Sequence, residues 1–285
     1  MQATLLVNPY ASRVTEERVR AIEAILQPAT TLLTERPGHA TELARAAAGD
    51  RFYVFGGDGV VNEVLNGLER DIPLGVVPGG HTNVLARALG LGRDPIEAAR
   101  RLGRTARRIS VGRVNGRRFA FAAGIGVDAE AVREMETVRR AQEGSRPGDL
   151  AYTRAIVAHL LRGYEPSLEI AGLGRAAILL VSKHRVYTYA GAMPLRMSPA
   201  ARFELGLDPV APEHVTNAFL ARVVPRLAAG RGLAGMRGVL AGHDLDRIEV
   251  TCDRPLPLQA DGEDLGDVTE AVFEADRSAL TVLTG

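Results

Sequence analysis

The sequence predicts an α/β fold, with an N-terminal doubly wound parallel sheet and a C-terminal β-sandwich domain that carries helical insertions. Apolar runs alternate with amphipathic segments over the first hundred residues, and the turns between them are short, which is typical of a doubly wound sheet. Beyond Arg107 this alternation stops and short strand-like segments follow one another. The 285 residues are enough for one large or two medium domains.

Four strand–helix pairs form the predicted first domain. Strands are expected at Thr4–Val7, Thr30–Leu33, Phe52–Phe55 and Leu74–Val77, and helices at Glu16–Leu26, His39–Ala48, Val60–Leu68 and Thr82–Leu89. Ligands on such sheets bind beyond the carboxyl ends of the strands. Asn8, Thr34, Gly56–Gly59 and Gly79–Asn83 all follow predicted strands, so we expect a binding site at this edge.

The predicted second domain begins with a hairpin around Asn115-Gly116, because Asn-Gly strongly favours a two-residue hairpin turn. Strands are expected at Leu168–Ile170, Ala176–Ser182, Ile248–Cys252, Leu256–Gln259 and Ala271–Glu274. Helices are expected near Ala129–Arg140, Asp149–Arg162 and Glu213–Ala229, and loops at Gln142–Gly148 and Gly230–Gly238. We place the first domain at residues 1–112, with a tail of residues 276–285 that can pack back on it, and the second at residues 113–275.

Composition limits the possible functions. A net charge of +1 gives no reason to expect a nucleic-acid partner. Cys252 is the single cysteine, which excludes an internal disulfide and a cysteine-based zinc cluster, and its alternating segment predicts a buried strand position. Lys183 is the single lysine, so the lysine of a P-loop is absent. The N-terminus does not resemble a signal peptide and no stretch approaches the ~18 apolar residues of a membrane span, so we expect a cytoplasmic protein.

Gly56-Gly57-Asp58-Gly59 is the most informative motif, because it joins an apolar run to an amphipathic helix. Glycines allow a sharp turn, and the start of a helix favours an anion. Asp58 would repel a phosphate unless it serves a cation or a proton transfer. Two interpretations follow: a nucleotide-phosphate loop with a metal-linked or catalytic acid, or an ordinary turn in which Asp58 is the helix N-cap.

Three further clusters follow in order along the chain. They are Pro73–Arg87, which contains the turn Pro78-Gly79-Gly80, then Gly124-Ile125-Gly126-Val127-Asp128-Ala129, and Gln259-Ala260-Asp261-Gly262-Glu263. Together with the first glycine motif they resemble the diacylglycerol kinase catalytic family, which includes sphingosine kinases and bacterial lipid kinases. The resemblance covers nearly the whole chain, from Val7-Asn8-Pro9 to Asp261-Gly262-Glu263.

The resemblance implies a nucleotide domain, a lipid-substrate domain, and transfer of the γ-phosphate of ATP to a hydroxyl of diacylglycerol or a related lipid. It implies that Glu263 and Asp261 are catalytic residues at the acceptor hydroxyl, with Glu263 as the general base. It also implies that Asp58 is a further catalytic acid that contacts Mg²⁺ through water. The residues it places around the nucleotide are Asn8, Pro9, Tyr10, Ala11, Ser12, Thr34, Gly56, Gly57, Asp58, Gly59, Val60, Asn62, Glu63, Gly80, His81, Thr82 and Asn83. Without the resemblance, Asp261-Gly262-Glu263 also fits a solvated hairpin turn.

The sequence departs from the family pattern at several polar positions. Val60 and His81 stand where the two glycine turns usually carry threonine; His81 is either a phosphate donor when protonated or an exposed residue at a helix start. Val84 and Ser110 replace acids of the magnesium-linked network of the bacterial lipid kinases. The stretch Phe203–Asp208 lacks the paired aspartates of the second-domain structural metal site.

A lipid substrate requires contact with a membrane. Eight arginines in a short segment predict a face toward anionic lipid, and the alternative is a solvated face in an arginine-rich protein. They are Arg100, Arg101, Arg104, Arg107, Arg108, Arg113, Arg117 and Arg118. We expect peripheral contact with the inner face of the membrane, and a homodimer through second-domain strand edges is a further option.

Three functions remain open at this point. The first is an active lipid kinase with a reduced metal shell, whose acceptor lipid the sequence does not identify. The second is a kinase-fold protein that binds nucleotide or lipid with little catalysis, which Val60, Val84 and Ser110 favour. The third is a kinase of the NAD kinase type, which Asn62-Glu63 argues against because the pair follows the glycine motif immediately.

Overall fold

The computed structural model describes residues 2–141 and 149–285, and the expected loop Gln142–Gly148 lies outside the described residues. The chain divides into two units. The first contains Met1–Val111 and Arg277–Gly285, and the second contains Gly112–Asp276.

A parallel sheet forms the centre of the first unit. Its elements are, in chain order, β1 (Ala3–Val7), α1 (Glu16–Leu26), β2 (Thr30–Leu33), α2 (His39–Arg45), β3 (Arg51–Gly56), α3 (Asp58–Gly67), β4 (Leu74–Pro78), α4 (Val84–Ala88), α5 (Pro95–Arg101) and β5 (Thr105–Val114). The strand order is β2-β1-β3-β4, and all four strands are parallel. The end of the chain adds a further parallel strand, in which Val282 pairs with Leu74.

Burial of the central strands follows from this order. All residues of β1 and β4 are buried, as expected for a parallel sheet that helices cover on both faces. Helix α1 packs against α5, and α2 packs against α3. Strand β2 lies on one side of β1 and β3 lies on the other, so the topological switch point is between β1 and β3. Sheets of this kind bind their ligands at the switch point.

Antiparallel strands dominate the second unit. The remaining elements are β6 (Arg117–Phe119), β7 (Ala122–Ile125), α6 (Val127–Ala141), α7 (Asp149–Leu160), β8 (Leu168–Ile170), β9 (Gly174–Ala176), β10 (Leu179–Ser182), β11 (Thr188–Ala190), β12 (Met193–Leu195), β13 (Asp208–Pro212), α8 (Asn217–Ala228), β14 (Val239–Ala241), β15 (Arg247–Ala260) and β16 (Glu263–Thr284). Strands β14-β13-β10-β7-β15 are neighbours in this order.

Strand β15 organises the second unit. Its first half pairs with β8, its last residues pair with β7, and β16 pairs with it along the other edge. Its register with β16 shifts between Thr251 and Leu256. Phe119, Leu179 and Phe273 are fully buried in one core together with residues of β15.

The parallel sheet and the β-rich second unit confirm the predicted fold class, but several predicted boundaries are wrong. Ile248–Cys252 and Leu256–Gln259 belong to the single strand β15, and Ala176–Ser182 is divided between β9 and β10. Strands β11, β12 and β14 were not predicted because each has only three residues, too few to show a periodic pattern. Strand β13 was not predicted because it contains two prolines, which are rare inside strands. Within the described part of the chain, no helix is long and apolar enough to cross a membrane.

Candidate functional site

The turns that follow β1, β3 and β4 lie side by side at the carboxyl edge of the first unit's sheet. The backbone N–H of Asn8, after β1, donates to the carbonyl of Phe55 at 3.0 Å. The N–H of Gly79, after β4, donates to the carbonyl of Gly56 at 2.7 Å. The turns after β1 and β3 therefore meet at the topological switch point, and the turn after β4 lies next to them.

Two glycines allow the turns after β3 and β4 to touch. A Cβ on Gly79 would lie 2.9 Å from the Cα of Gly56, and a Cβ on Gly80 would lie 2.6 Å from the Cα of Gly57. Side chains at these positions would push one backbone away from the other. The absence of a side chain at Gly79 and Gly80 therefore makes room for the neighbouring turn.

Asp58 connects the same two turns. Its Oδ2 accepts from the N–H of Val84 at 3.0 Å, and its Oδ1 accepts from the N–H of Leu85 at 3.3 Å. The N-cap of α3 is Gly57, which makes no side-chain capping bond, so the interpretation of Asp58 as the N-cap of its own helix is wrong. Asp58 instead satisfies two N–H groups at the start of α4, where a negative charge is favoured.

Backbone N–H groups of the turn after β4 already have hydrogen-bond acceptors within the first unit. Gly80 N–H donates to Oδ1 of Asn83 at 2.8 Å, and Nδ2 of Asn83 donates back to the Gly80 carbonyl at 2.7 Å. Asn83 adopts a left-handed φ of 52° to make this pair. Because the N–H groups of Gly79, Gly80, Val84 and Leu85 all donate within the unit, the start of α3 is the better candidate for holding phosphate oxygens.

The residues just after the glycine motif face the protein interior. Val60 is buried, and buried Asn62 accepts from Nδ2 of Asn66 at 3.1 Å. Oε2 of Glu63 accepts from the N–H of Ala40 at 3.1 Å, close to the start of α2. Glu63 thus connects α3 to the start of α2, whereas Asn62 bonds within α3. The contact of either residue with a nucleotide stays a prediction.

The other predicted nucleotide residues lie in the turns that end β1, β2 and β4. They are Pro9, Tyr10, Ala11 and Ser12 after β1, Thr34 after β2, and His81 and Thr82 after β4. Tyr10, Ser12 and His81 are exposed, so these side chains are accessible to a ligand. Thr34 is buried, and its N–H donates to the Val7 carbonyl at 2.9 Å.

The Asp58 carboxylate at this edge fits a magnesium ion that arrives with a nucleotide. No group of three or more His, Cys, Asp or Glu side chains among the described residues could hold a metal by itself. Magnesium in phosphoryl-transfer sites is usually bound by one or two carboxylates together with substrate phosphates and water. A carboxylate oxygen can accept more than one hydrogen bond, so Asp58 can contact such an ion through water while it caps α4.

In the second unit, the turn Asp261-Gly262-Glu263 joins β15 to β16. Asp261 and Gly262 have φ of 49° and 81°, which is the pattern of a type I′ hairpin turn. The interpretation of this segment as a hairpin turn is correct. Its description as solvated is wrong for Asp261, which is only 4% exposed.

The buried carboxylate of Asp261 anchors this turn. Oδ2 accepts from the N–H of Ala120 at 2.6 Å, and Oδ1 accepts from the N–H groups of Phe121 and Ala122 at 3.0 and 3.1 Å. Three charge-assisted bonds to backbone fix the turn against the start of β7. This geometry supports a positioning role for Asp261 rather than direct contact with a substrate.

Glu263 lies on the other side of the turn, half-buried, in an ion pair with Arg117 of β6. The guanidinium offsets the charge of the carboxylate and restricts its orientation. From the sequence, Arg117 was grouped with arginines expected to face lipid. Arg117 and Glu263 are 146 residues apart, so no local pattern could have predicted that they form an ion pair.

Most of the arginine cluster is paired with carboxylates. The pairs are Arg100 with Glu97, Arg108 with Asp71, Arg113 with Asp276, Arg117 with Glu263 and Arg118 with Asp276. Arg101, Arg104 and Arg107 are exposed.

The second-domain stretch Phe203–Asp208 does not fit a metal ion. The single lysine, Lys183, is fully buried, and its Nζ donates to the carbonyls of Leu205 at 2.5 Å and Gly206 at 2.9 Å. A metal ion at these carbonyls would lie against an ammonium group and be repelled. The chain therefore supplies its own cation to this stretch.

A cavity of about 350 Å³ lies elsewhere in the second unit, lined by Glu130, Arg162, Tyr164, Ser167 and Arg254 among others. Burial, followed by the hydrogen bond that the Tyr164 hydroxyl donates to Glu130 at 2.5 Å, raises the pKa of Tyr164 above its usual range. None of the predicted site residues lines this cavity.

Sequence comparison identifies the relatives of this chain. Residues 2–114 match the family model described as the diacylglycerol kinase catalytic domain. Over 182 residues the chain is 33% identical to a diacylglycerol kinase of Bacillus subtilis (strain 168). This alignment covers 59% of this chain and 56% of that protein. The chain thus spans about half the length of this relative.

Structural comparison gives the same fold. A crystal structure of a diacylglycerol kinase from Bacillus anthracis str. Sterne covers 100% of this chain and 97% of its own, with a TM-score of 0.75 at 20% identity. An NAD kinase from Archaeoglobus fulgidus in complex with ATP covers 99% and 93%, with a TM-score of 0.51 at 15% identity. These likenesses establish the fold alone. The sequence match confirms that residues 2–114 are similar to the diacylglycerol kinase catalytic domain, the family that the sequence motifs resemble.

Proposed function

We propose that this protein is an ATP-dependent lipid kinase that transfers the γ-phosphate to a hydroxyl of diacylglycerol or a related lipid. The observation that carries the proposal is the junction of the two glycine turns, which Asp58 connects next to the switch point of the sheet. This junction lies within the segment that matches the family. The related fold of an ATP-bound NAD kinase supports ATP as the nucleotide.

The first unit would bind the nucleotide. N–H groups at the start of the ten-residue helix α3 face the position beyond β3 where phosphate oxygens are favoured. Magnesium bound with ATP would neutralise the phosphate charge, with Asp58 as the carboxylate that contacts its water. Asp58 is held in one orientation by α4, so it needs little rearrangement when the nucleotide binds.

The second unit would supply the general base. Glu263 would accept the proton of the lipid hydroxyl while the hydroxyl oxygen bonds to the γ-phosphorus and the bond to the ADP oxygen breaks. Arg117 restrains the carboxylate, and Asp261 fixes the turn that carries it. A positioned base of this kind contributes about 10²–10⁴-fold in rate.

A lipid acceptor also requires the protein to reach a membrane surface. Arg101, Arg104 and Arg107 are exposed in the first unit, at and after the end of α5. Each basic residue close to an anionic surface adds about 1 kcal/mol to binding. We therefore propose peripheral contact with anionic lipid through these three arginines.

Transfer of labelled phosphate from ATP and magnesium to a panel of lipids in mixed micelles tests the proposed function. The panel includes diacylglycerol and sphingoid bases, and Glu263→Gln is the matched variant because it keeps the shape of the side chain and removes the base. A labelled lipid that forms with the wild type and disappears in Glu263→Gln supports the proposal. Absence of label from every lipid, with the protein folded, refutes it.

A second candidate function is a kinase-fold protein that binds nucleotide or lipid without turnover. Val60 and Val84 are buried apolar residues, and the Ser110 hydroxyl accepts from the N–H of Ser278 at 3.2 Å, so none of the three presents a free polar group. Calorimetric binding of ATP with no transfer to any lipid would favour this alternative. Formation of NADP from NAD and ATP would instead indicate the NAD kinase type.

A further inference from the structure

We propose that Asp128, Tyr187 and Gln259 form a buried network that positions the Glu263 turn for proton transfer. This inference rests on the proposed kinase function and assigns three further residues to it. None of the three would touch a substrate; each would act through the turn that joins β15 to β16.

Hydrogen bonds connect the network to the turn. Oε1 of Gln259 accepts from the N–H of Gly262 at 3.0 Å, and Nε2 of Gln259 donates to Oδ2 of Asp128 at 2.5 Å. The Tyr187 hydroxyl donates to the same oxygen at 2.5 Å and lies 3.1 Å from Nε2 of Gln259. The side chain of Gln259 thus joins the residue before Glu263 to a buried carboxylate.

The three side chains converge from different elements. Asp128 lies in the first turn of α6, Tyr187 follows β10, and Gln259 is near the end of β15, opposite Gly124 on β7. A Cβ on Gly124 would lie 3.2 Å from the Tyr187 hydroxyl, so a glycine at this position keeps the space for the network open.

Burial makes these polar residues hard to explain by stability alone. Asp128, Tyr187 and Gln259 are 5%, 3% and 2% exposed. A buried carboxylate is costly, and well-packed apolar residues of similar volume are often as stabilising. A fully bonded polar network does, however, fix one geometry, because each of its bonds has a narrow range of distance and angle.

The turn is thereby held from two sides. The Asp261 carboxylate ties it to the start of β7, and Gln259 ties the Gly262 N–H to the network. Gly262 has a φ of 81° and lacks a Cβ, so without these bonds the backbone before Glu263 could adopt several conformations. A displacement of about 1 Å at a reacting group can lower a rate about 10²-fold.

Steady-state kinetics of two variants test the network. Gln259→Met keeps most of the side-chain volume and removes all three bonds, whereas Tyr187→Phe removes only the hydroxyl. We expect Gln259→Met to lower kcat about tenfold or more with the KM for ATP changed less than about twofold, and Tyr187→Phe to have a smaller effect of the same kind. Leu258→Met, a volume-conserving change at the neighbouring buried position, controls for repacking of β15 and should leave kcat unchanged.

A double variant separates positioning from general disruption. In the Glu263→Gln background no base remains to be positioned, so Gln259→Met should lower the residual rate less than about twofold. An unchanged kcat in folded Gln259→Met and Tyr187→Phe, or the same fold-loss in both backgrounds, overturns the inference while leaving the lipid kinase intact. If Gln259→Met does not fold, Tyr187→Phe alone decides by the same criteria. A wild type that phosphorylates no lipid removes the proposed function, and the inference with it.

Discussion

Replacement of Asp261 by asparagine should destabilise the second unit although it preserves the shape of the side chain. The carboxylate accepts three backbone N–H groups, those of Ala120, Phe121 and Ala122, at 2.6 to 3.1 Å. An asparagine has one acceptor oxygen and one donor nitrogen at the same positions. In either orientation, at least one of the three N–H groups would face another donor.

The expected magnitude follows from these contacts. If the asparagine oxygen keeps Phe121 and Ala122, the N–H of Ala120 is left unsatisfied, which costs about 1–3 kcal/mol. The two remaining bonds lose their charge assistance, which weakens each by about 1 kcal/mol, and removal of a buried charge offsets part of this loss. We expect a net loss of about 3 kcal/mol, a large part of the ~5–15 kcal/mol that stabilises a typical domain.

The single cysteine provides the assay, because Cys252 lies on β15 in the same unit and is 7% exposed. Burial, followed by the charge of Asp253, raises the pKa of its thiol. At a given pH the folded unit therefore contains less of the reactive thiolate than the unfolded chain, and alkylation proceeds through opening. A loss of about 3 kcal/mol should accelerate labelling about 10²-fold.

Glu270→Gln is the matched control, since it makes the same chemical change at an exposed position on β16, the strand that pairs with β15. Its labelling rate should stay close to that of the wild type. A labelling rate in Asp261→Asn within about threefold of the wild type would show that the carboxylate does not hold the turn, and the reasoning above would be refuted.

Three further predictions concern other parts of the molecule. Gly80→Ala places a Cβ 2.6 Å from the Cα of Gly57, so chemical denaturation should show a loss of about 1–3 kcal/mol and kinetics a higher KM for ATP. Lys183→Met removes the donor to two buried carbonyls and should lower stability by about 2–4 kcal/mol, whereas EDTA should leave the denaturation midpoint of the wild type unchanged. The double variant Arg104→Glu with Arg107→Glu should sediment several-fold less with anionic vesicles and equally with neutral ones.

Each of these predictions has a clear opposite. Wild-type stability in the Gly80 variant would mean that the two turns can separate freely. If magnesium without nucleotide stabilised the wild type, and Lys183→Met were as stable as the wild type, the second unit would contain a metal site after all. Unchanged sedimentation of the arginine variant with anionic vesicles would show that the cluster is a solvated face.

Local patterns were sufficient for the first unit. Its strands and first three helices alternate in short segments whose periodicity is visible in the sequence, and the glycine turns stand at the strand ends where the fold needs them. The position of Cys252 in a buried strand is confirmed for the same reason, since alternation marks the inward face. Helix α5 was not predicted, although Asp94 caps it and Pro95 begins it, because seven residues give a weak periodic signal.

The partners of the acidic residues could not be predicted in this way. Asp58 was expected to cap its own helix or to contact a metal; it caps α4 rather than its own helix, and its contact with a metal stays a prediction. Asp261 was expected at the substrate, and it holds backbone N–H groups about 140 residues earlier in the chain. A carboxylate accepts a hydrogen bond from any donor that the fold brings within reach. The residues adjacent to it in the sequence do not determine which donor that is.

The sequence by itself determined the fold class, the resemblance to the diacylglycerol kinase catalytic family and the positions of the two glycine turns and of the acidic turn, because these depend on periodicity and on short motifs. Only the tertiary structure decided what each charged group touches: Arg117 on Glu263, Lys183 on two carbonyls, and Gln259 between Gly262 and Asp128. These contacts join residues between 3 and 146 positions apart. They form only when packing of apolar strands and helices has fixed the backbone, since hydrogen bonds and ion pairs act over a few ångströms.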